Sequence, residues 1–293
     1  MTPDKERENM SHTIEAPGAV IAYDVREVQG SSKPTLMLIG SPMDATGFTT
    51  LCTFFTDRTV VTYDPRGAGR SQREPGAGES TPDIHADDLR RVIEAVGGPV
   101  DLFASSGGAV NALALVAKHP ELVSTLVAHE PPAAPVLPDR ANAERLIQQM
   151  RQTYEKEGFG SAMAQFMAIT SHVGELPEDI GELPVGDPAA MGMPTEDDGT
   201  RDDVLFAQNL ITCTHYEHDF DALRAASTRV VPAVSVEGAG TMAARGGEGV
   251  AQRLGVEAVV FPSHHGGFMG GEFGYPGEPE AFAAKLREVL DGS

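Results

Sequence analysis

The segment Asp101-Leu102-Phe103-Ala104-Ser105-Ser106-Gly107-Gly108-Ala109-Val110 runs an apolar stretch directly into small residues. A serine held on so tight a strand-to-helix turn has its hydroxyl lifted above the sheet, where it can attack a carbonyl carbon. Such a turn tolerates only small side chains two positions either side of its centre. Ala104-x-Ser106-x-Gly108 satisfies that demand, whereas a turn centred on Ser105 would put Phe103 in a small slot. Ser106 is therefore the candidate nucleophile. The Gly107 N–H, at the start of the next helix, is placed to receive the charge that develops on the carbonyl oxygen. A Gly-rich turn with no chemistry would look similar in isolation, so the argument depends on finding a base and an acid.

There are nine histidines. His12 follows a polar N-terminal stretch, His85 falls on the polar face of a helical pattern, and His119 stands at a helix end before Pro120. These read as surface or packing residues. His264 and His265 differ: they follow the apolar run Ala258–Phe261 and precede Gly266-Gly267. Their loop therefore leaves the carboxyl edge of the last strand, where ligands bind in open α/β sheets. The glycines permit a turn that swings an imidazole inward.

An imidazole acting on serine needs a carboxylate to orient it. The usual seat follows the penultimate strand, here Val230–Val236. Beyond Gly238 that loop offers Ala239, Gly240 and Thr241, with no acid before Glu248; Glu237 lies just ahead of the loop. The alternative seat follows Leu122–Ala128, where Glu130 is succeeded by Pro131-Pro132, which stop the strand. Glu130 is the expected acid and Glu237 its competitor. A second oxyanion donor should come from Gly40-Ser41-Pro42-Met43; Pro42 has no N–H, which leaves Ser41 or Met43.

Two other motifs are weaker. His215 and His218 stand at i, i+3, but no third metal ligand accompanies them, so no metal is expected. Gly67-Ala68-Gly69-Arg70-Ser71 lacks the third glycine and the acidic residue of a dinucleotide loop.

The elements that must position these residues alternate. Buried-strand runs at Thr35–Ile39, Arg58–Tyr63, Val100–Ala104, Leu122–Ala128, Val230–Val236 and Ala258–Phe261 are interleaved with helical patterns at Pro82–Val96, Gly107–Lys118 and Pro279–Leu290. This order predicts an α/β fold with a mostly parallel central sheet covered by helices on both faces. From about Pro135 to Leu223 no strand pattern occurs, while Ala141–Tyr154, Gly160–Thr170 and Asp202–Thr212 read as helices. Between Glu175 and Asp203 there are ten acidic residues against one basic, with four Pro and four Gly, a composition of solvated irregular chain. The expected organisation is a flexible tail at 1–11, a core formed by 12–134 and 224–293, and a helical cap or lid inserted at 135–223.

Composition narrows the function. The net charge of −21 opposes binding to nucleic acid or to an anionic membrane surface. Cys52 and Cys213 are too few for a disulfide framework. The N-terminus is too charged for a signal peptide, and no apolar run approaches the ~20 residues of a membrane span. A cytoplasmic protein of unknown oligomeric state is expected.

Taken together, and in this order along the chain, Gly40-Ser41-Pro42, Tyr63-Asp64-Pro65-Arg66-Gly67-Ala68-Gly69-Arg70-Ser71, the Ser106 elbow and Phe261-Pro262-Ser263-His264-His265 resemble the α/β-hydrolase family, from Thr35 to Leu290. Ile39 replaces the histidine that usually opens the family's oxyanion loop. The family's Pro-x-x-His spacing implies His265 as base. An acid after the strand that follows the elbow helix marks a minority of members, including haloalkane dehalogenases and zearalenone-type lactonases. The dehalogenases carry Asp where this chain has Ser106, so the similarity is to the lactonases, with their Ser-Ser-Gly elbow and downstream His-Glu-Pro.

The resemblance implies a capped serine hydrolase that needs no cofactor and cleaves an apolar small-molecule ester or lactone. In it Ser106, His265 and Glu130 act as the triad, and Gly107 with Ser41 or Met43 forms the oxyanion hole. Met150, Met163, Phe166, Met167, Met191, Met193 and Phe206 are candidate pocket walls. The competing expectations are a hydrolase of β-diketone C–C bonds with the same triad and a binding protein on the same fold.

Overall fold

A computed structural model describes residues 9–274 and 276–292. Nine strands form one sheet: β1 (Asn9–Ala16), β2 (Ala19–Arg26), β3 (Leu36–Ile39), β4 (Val60–Tyr63), β5 (Gln72–Arg73), β6 (Val100–Ser105), β7 (Val123–His129), β8 (Arg229–Ser235) and β9 (Val259–Phe261). Their spatial order is β1-β2-β4-β3-β6-β7-β8-β9, with β5 paired to β2. The pairs from β4 through β3, β6, β7 and β8 to β9 are all parallel; β1, β2 and β5 join antiparallel at one edge.

The helices are α1 (Thr49–Thr53), α2 (Pro82–Ala95), α3 (Gly107–Lys118), α4 (Arg140–Glu157), α5 (Phe159–Ser171), α6 (Leu210–Thr214), α7 (Phe220–Ala225), α8 (Met242–Leu254) and α9 (Pro279–Asp291). The central strands are apolar on both faces because helices cover both. Met37, Ile39, Leu102, Ala104, Leu126 and Ala128 pack with α2, α3, α7 and α8. Their alternates Leu36, Leu38, Phe103, Val127 and Phe261 pack with α1 and α9. Among the described residues no helix is long and apolar enough to cross a membrane.

The parallel strands fall where the apolar runs place them. β1 is an addition, paired to β2, whose Ala19–Tyr23 alternates loosely in the sequence, and it alters one expected boundary. Asn9, Met10 and Ser11 pair with Arg26, Val25 and Asp24, so the sheet takes in the last three residues assigned to the tail; the remainder of that tail, 1–8, lies outside the described residues.

Between β7 and β8 the described chain adds no strand to the sheet; its one β contact is an isolated bridge from Val173 to Thr241. α4, α5 and α6 share a separate apolar cluster that includes Leu146, Ile147, Tyr154, Ile169 and Leu210. The third expected helix differs from a regular one, since Val204–Asn209 forms a π-turn capped by Asp203 before α6 begins. α7 straddles the expected 223/224 boundary, and its Phe220 and Leu223 pack into the core beneath the sheet rather than into the helical segment's own cluster. From Glu175 to Asp203 the only regular turns are short 3-10 pieces at Ile180–Glu182 and Ala189–Met191, anchored by buried Leu176 and Leu183.

Candidate active site

The sheet register collects the chemistry at one edge. Ser105 at the end of β6 pairs with His129 at the end of β7, and His129 pairs with Ala233 on β8. The next residue of each of the first two strands, Ser106 and Glu130, is therefore carried to the same carboxyl edge. The Ser106 N–H continues the ladder by donating to the His129 carbonyl at 2.9 Å, and the Glu130 N–H donates to the Ala233 carbonyl at 2.9 Å.

Ser106 has φ 57° and ψ −129°, a backbone state that costs free energy and recurs at functional turns. It caps α3, whose first N–H groups have no intrahelical acceptor. The small-residue demand is visible in the space around the turn. A Cβ at Gly107 would lie 2.6 Å from the Ser41 carbonyl oxygen and 3.2 Å from Cys213 Sγ; one at Gly108 would lie 2.9 Å from Gly40 Cα. The elbow thus sits against Gly40-Ser41, the expected second half of an oxyanion hole, and α6 reaches it through Cys213. Ser41 is buried, and Met43 folds its side chain over Gly40 and Gly47.

Across the sheet edge, His265 Nδ1 meets Glu130 Oε2 at 2.5 Å. The Glu130 side chain is fully buried, while that of His265 is 45% exposed. Burial alone would raise the Glu130 carboxyl; the hydrogen bond and charge of His265 outweigh it and, with His129 and Ser235, hold the pKa down at about 2. Glu130 is thus an anion at neutral pH. The His265–Glu130 pair is joined directly, whereas Ser106 is brought to it by register, and among the described residues no hydrogen bond links its hydroxyl to His265.

The neighbouring candidates lead elsewhere. His264 accepts the Gly266 N–H at Nδ1 and donates from Nε2 to the Pro276 carbonyl, which turns it into its own loop. Glu237 is exposed, and its N–H donates to the Ser263 carbonyl. Ser105 is buried with its hydroxyl 3.2 Å from His129 Nδ1. His85, expected on a polar surface, is instead buried and bonded to Asn209 at 2.6 Å, because α2 turns that face toward the π-turn.

Two residues of the expected pocket wall are corrected. Met150 and Phe206 are 1% and 0% exposed inside the helical segment's own cluster, where Phe206 stacks on Tyr154, and a side chain with no accessible surface lines no cavity. Met163 and Phe166 are half-buried against that cluster, and Met167, Met191 and Met193 are likewise only partly covered.

His129 was not anticipated. It is completely buried, and its ring lies 5.8 Å from that of His265 at an interplanar angle of 29°. Phe103, Phe261, Phe268 and Phe282 surround it. Burial pushes its pKa down to about 4 against the pull of Glu130, which leaves a neutral imidazole. The only sequence signal was its place one residue before the acid. His129, Glu130 and His265 bring ligand-type atoms within 4.8 Å of one another. Two imidazoles in face-to-face contact do not aim their in-plane lone pairs at a common ion, and Glu130 Oε2 is already engaged by His265. His215 and His218 join no such group of three among the described residues.

Comparison with known proteins agrees with this architecture. The family model of the alpha/beta hydrolase fold matches residues 52–214. The chain is 28% identical over 288 residues to an uncharacterized hydrolase, YraK, of Bacillus subtilis, covering 95% of each chain. It is 30% identical over 203 residues to 2-(acetamidomethylene)succinate hydrolase of Mesorhizobium japonicum, covering 66% of this chain and 71% of that one. A thermophilic esterase from Thermogutta terrifontis, solved with malate bound, superposes with a TM-score of 0.65 at 22% identity, covering 97% and 98% of the two chains.

Proposed function

The chain belongs to the alpha/beta hydrolase family, and on that premise we propose that it is a serine hydrolase cleaving a carboxylic ester or lactone of an apolar small molecule through an acyl-enzyme. The observation that carries this reading is the 2.5 Å contact between His265 and a buried, ionised Glu130 at the sheet edge that also bears the Ser106 elbow. Ser106 Oγ attacks the carbonyl carbon as His265 Nε2 takes its proton. Glu130 holds the opposite ring nitrogen and offsets the imidazolium charge. The oxyanion is received by the Gly107 N–H and by that of Ser41 or Met43. Collapse expels the alcohol with the proton from His265, and water, activated by the same imidazole, releases the acid.

In this reading the helical segment between β7 and α7 acts as a cap over a core that takes in the β1–β2 hairpin at one end and α7 at the other. The chain's charge of −21 favours a neutral substrate over the acetamido-substituted succinate for which the M. japonicum relative is named. A fluorophosphonate should label Ser106, and p-nitrophenyl esters should give a burst of nitrophenolate. A panel adding lactones, β-diketones and that acetamido compound separates the alternatives. Turnover confined to the β-diketones would indicate C–C cleavage, and the absence of both labelling and turnover would indicate a binding protein.

A further inference from the structure

The strand that usually carries the triad acid here ends in donors instead. Ser235, the last residue of β8, is 1% exposed. Its backbone N–H donates to Glu130 Oε1 at 2.8 Å, and its hydroxyl donates to the same oxygen at 2.5 Å. The other carboxylate oxygen, Oε2, is taken by His265. Gly238, three residues on, keeps the remaining side clear: a Cβ there would lie 2.4 Å from Ser235 Oγ and 2.8 Å from Glu130 Oε1. Glu130 itself has φ 47°, a left-handed backbone that a glutamate does not adopt without surrounding support.

We infer that Ser235 is a positioning residue for the hydrolytic reaction, fixing the Glu130 carboxylate in the plane in which Oε2 meets His265 and tempering its basicity. A buried serine with a merely structural role would bond any nearby carbonyl. This one directs its hydroxyl and its amide to the single oxygen of the acid that His265 does not use. Two donors on Oε1 draw charge away from Oε2, so the Glu130–His265 bond is weaker, and the imidazolium less tightly held, than with a bare carboxylate. The other groups facing the pair are neutral His129, from β7, and the loop of His264, which is tied back to Pro276; Glu237 is exposed.

This inference rests on the triad reading above, and its test separates the two. Steady-state kinetics across pH are measured for the wild type, Ser235→Ala, Ser235→Cys and Glu130→Gln on one p-nitrophenyl ester that the wild type hydrolyses. In Ser235→Ala kcat should fall about tenfold, the loss expected for one hydrogen bond to a charged group, with KM changed less than about twofold. The acid limb of kcat/KM should move to higher pH, because the freed carboxylate holds the imidazolium more tightly. Ser235→Cys, with a weaker donor in nearly the same shape, should fall between, and it carries the comparison alone if the alanine variant does not fold. The downfield proton resonance of the His265–Glu130 bond should shift in the same order. The inference is overturned if Ser235→Ala and Ser235→Cys match the wild type in kcat and acid limb while Glu130→Gln is inactive. If Glu130→Gln is itself fully active, the triad reading falls instead.

Discussion

The hydroxyl of Ser105 lies 3.2 Å from His129 Nδ1 in the closed core, one residue before Ser106, the N-cap residue of α3, whose own side chain makes no capping hydrogen bond. Adjacent strand residues point to opposite faces, so only one of the two hydroxyls can reach a substrate. Ser106→Ala should abolish turnover. Ser105→Ala should keep most of it and lower Tm, since it strips the one hydrogen bond of a buried imidazole whose Nε2 is already unpartnered. Active-site labelling by a fluorophosphonate followed by peptide mapping checks the register: modification at Ser105 would refute it.

The two histidines divide along similar lines. His265 engages Glu130, while His264 spends both ring nitrogens on its own loop, one on the Gly266 N–H and one on the Pro276 carbonyl. His265→Ala should lose the pre-steady-state burst altogether. His264→Ala should retain it, with any cost appearing as reduced thermal stability, since the bonds to the Gly266 N–H and the Pro276 carbonyl are lost. Stopped-flow measurement of the burst amplitude distinguishes them, and a burst that survives in His265→Ala but not in His264→Ala would reverse the assignment.

Much of this site could be read from residue order because each part obeys a local constraint. Leu36–Ile39 is buried on both faces and so is continuously apolar, and Val60–Tyr63 is broken only by buried Thr62; the elbow admits only small neighbours; two prolines stop the chain after Glu130. What escaped depends on distant partners. The β1–β2 hairpin sits at an edge, where one face is solvated and the apolar pattern is diluted by Glu15, Asp24 and Arg26. Ser235 looks like any small residue in a strand until its partner, 105 positions away, is placed beside it. The burial of Met150 and Phe206 follows from how α4, α5 and the π-turn fold on one another, which periodicity does not encode.

The stretch from Glu175 to Asp203 should exchange its amide hydrogens far faster than the sheet. Its backbone is held by isolated turns and a few side-chain contacts such as Asn142 to the Leu176 carbonyl, and most of its residues are exposed. Hydrogen-exchange mass spectrometry of the free protein should show this segment deuterated early, with slower exchange around buried Leu176 and Leu183. Protection equal to that of β3, β6 and β7 would exclude a lid role.

The acid provides the sharpest pair of expectations. Glu130→Gln keeps the shape of the side chain and its ability to accept from Ser235, but it removes the charge that, in the proposed mechanism, stabilises imidazolium in the transition state. Its amide can also present N–H to His265 Nδ1 and favour the wrong tautomer. Folding should survive while kcat falls about 10²–10⁴-fold. Glu237→Gln, at an exposed position, should be near wild type. The same carboxylate makes a pH-dependent contribution to stability. Its folded pKa, about 2, lies below the ordinary 4.5 because His265 and its other partners outweigh burial. A depressed carboxylate stabilises the fold above its unfolded pKa, and that contribution is lost as pH falls from about 4.5 toward 2. Denaturant titrations should therefore show wild type losing stability over that window more steeply than Glu130→Gln, which has no proton to take up at this position. Parallel stability curves for the two proteins from pH 5 to about pH 3, or a Glu237→Gln variant that is dead while Glu130→Gln turns over normally, would remove Glu130 from the mechanism.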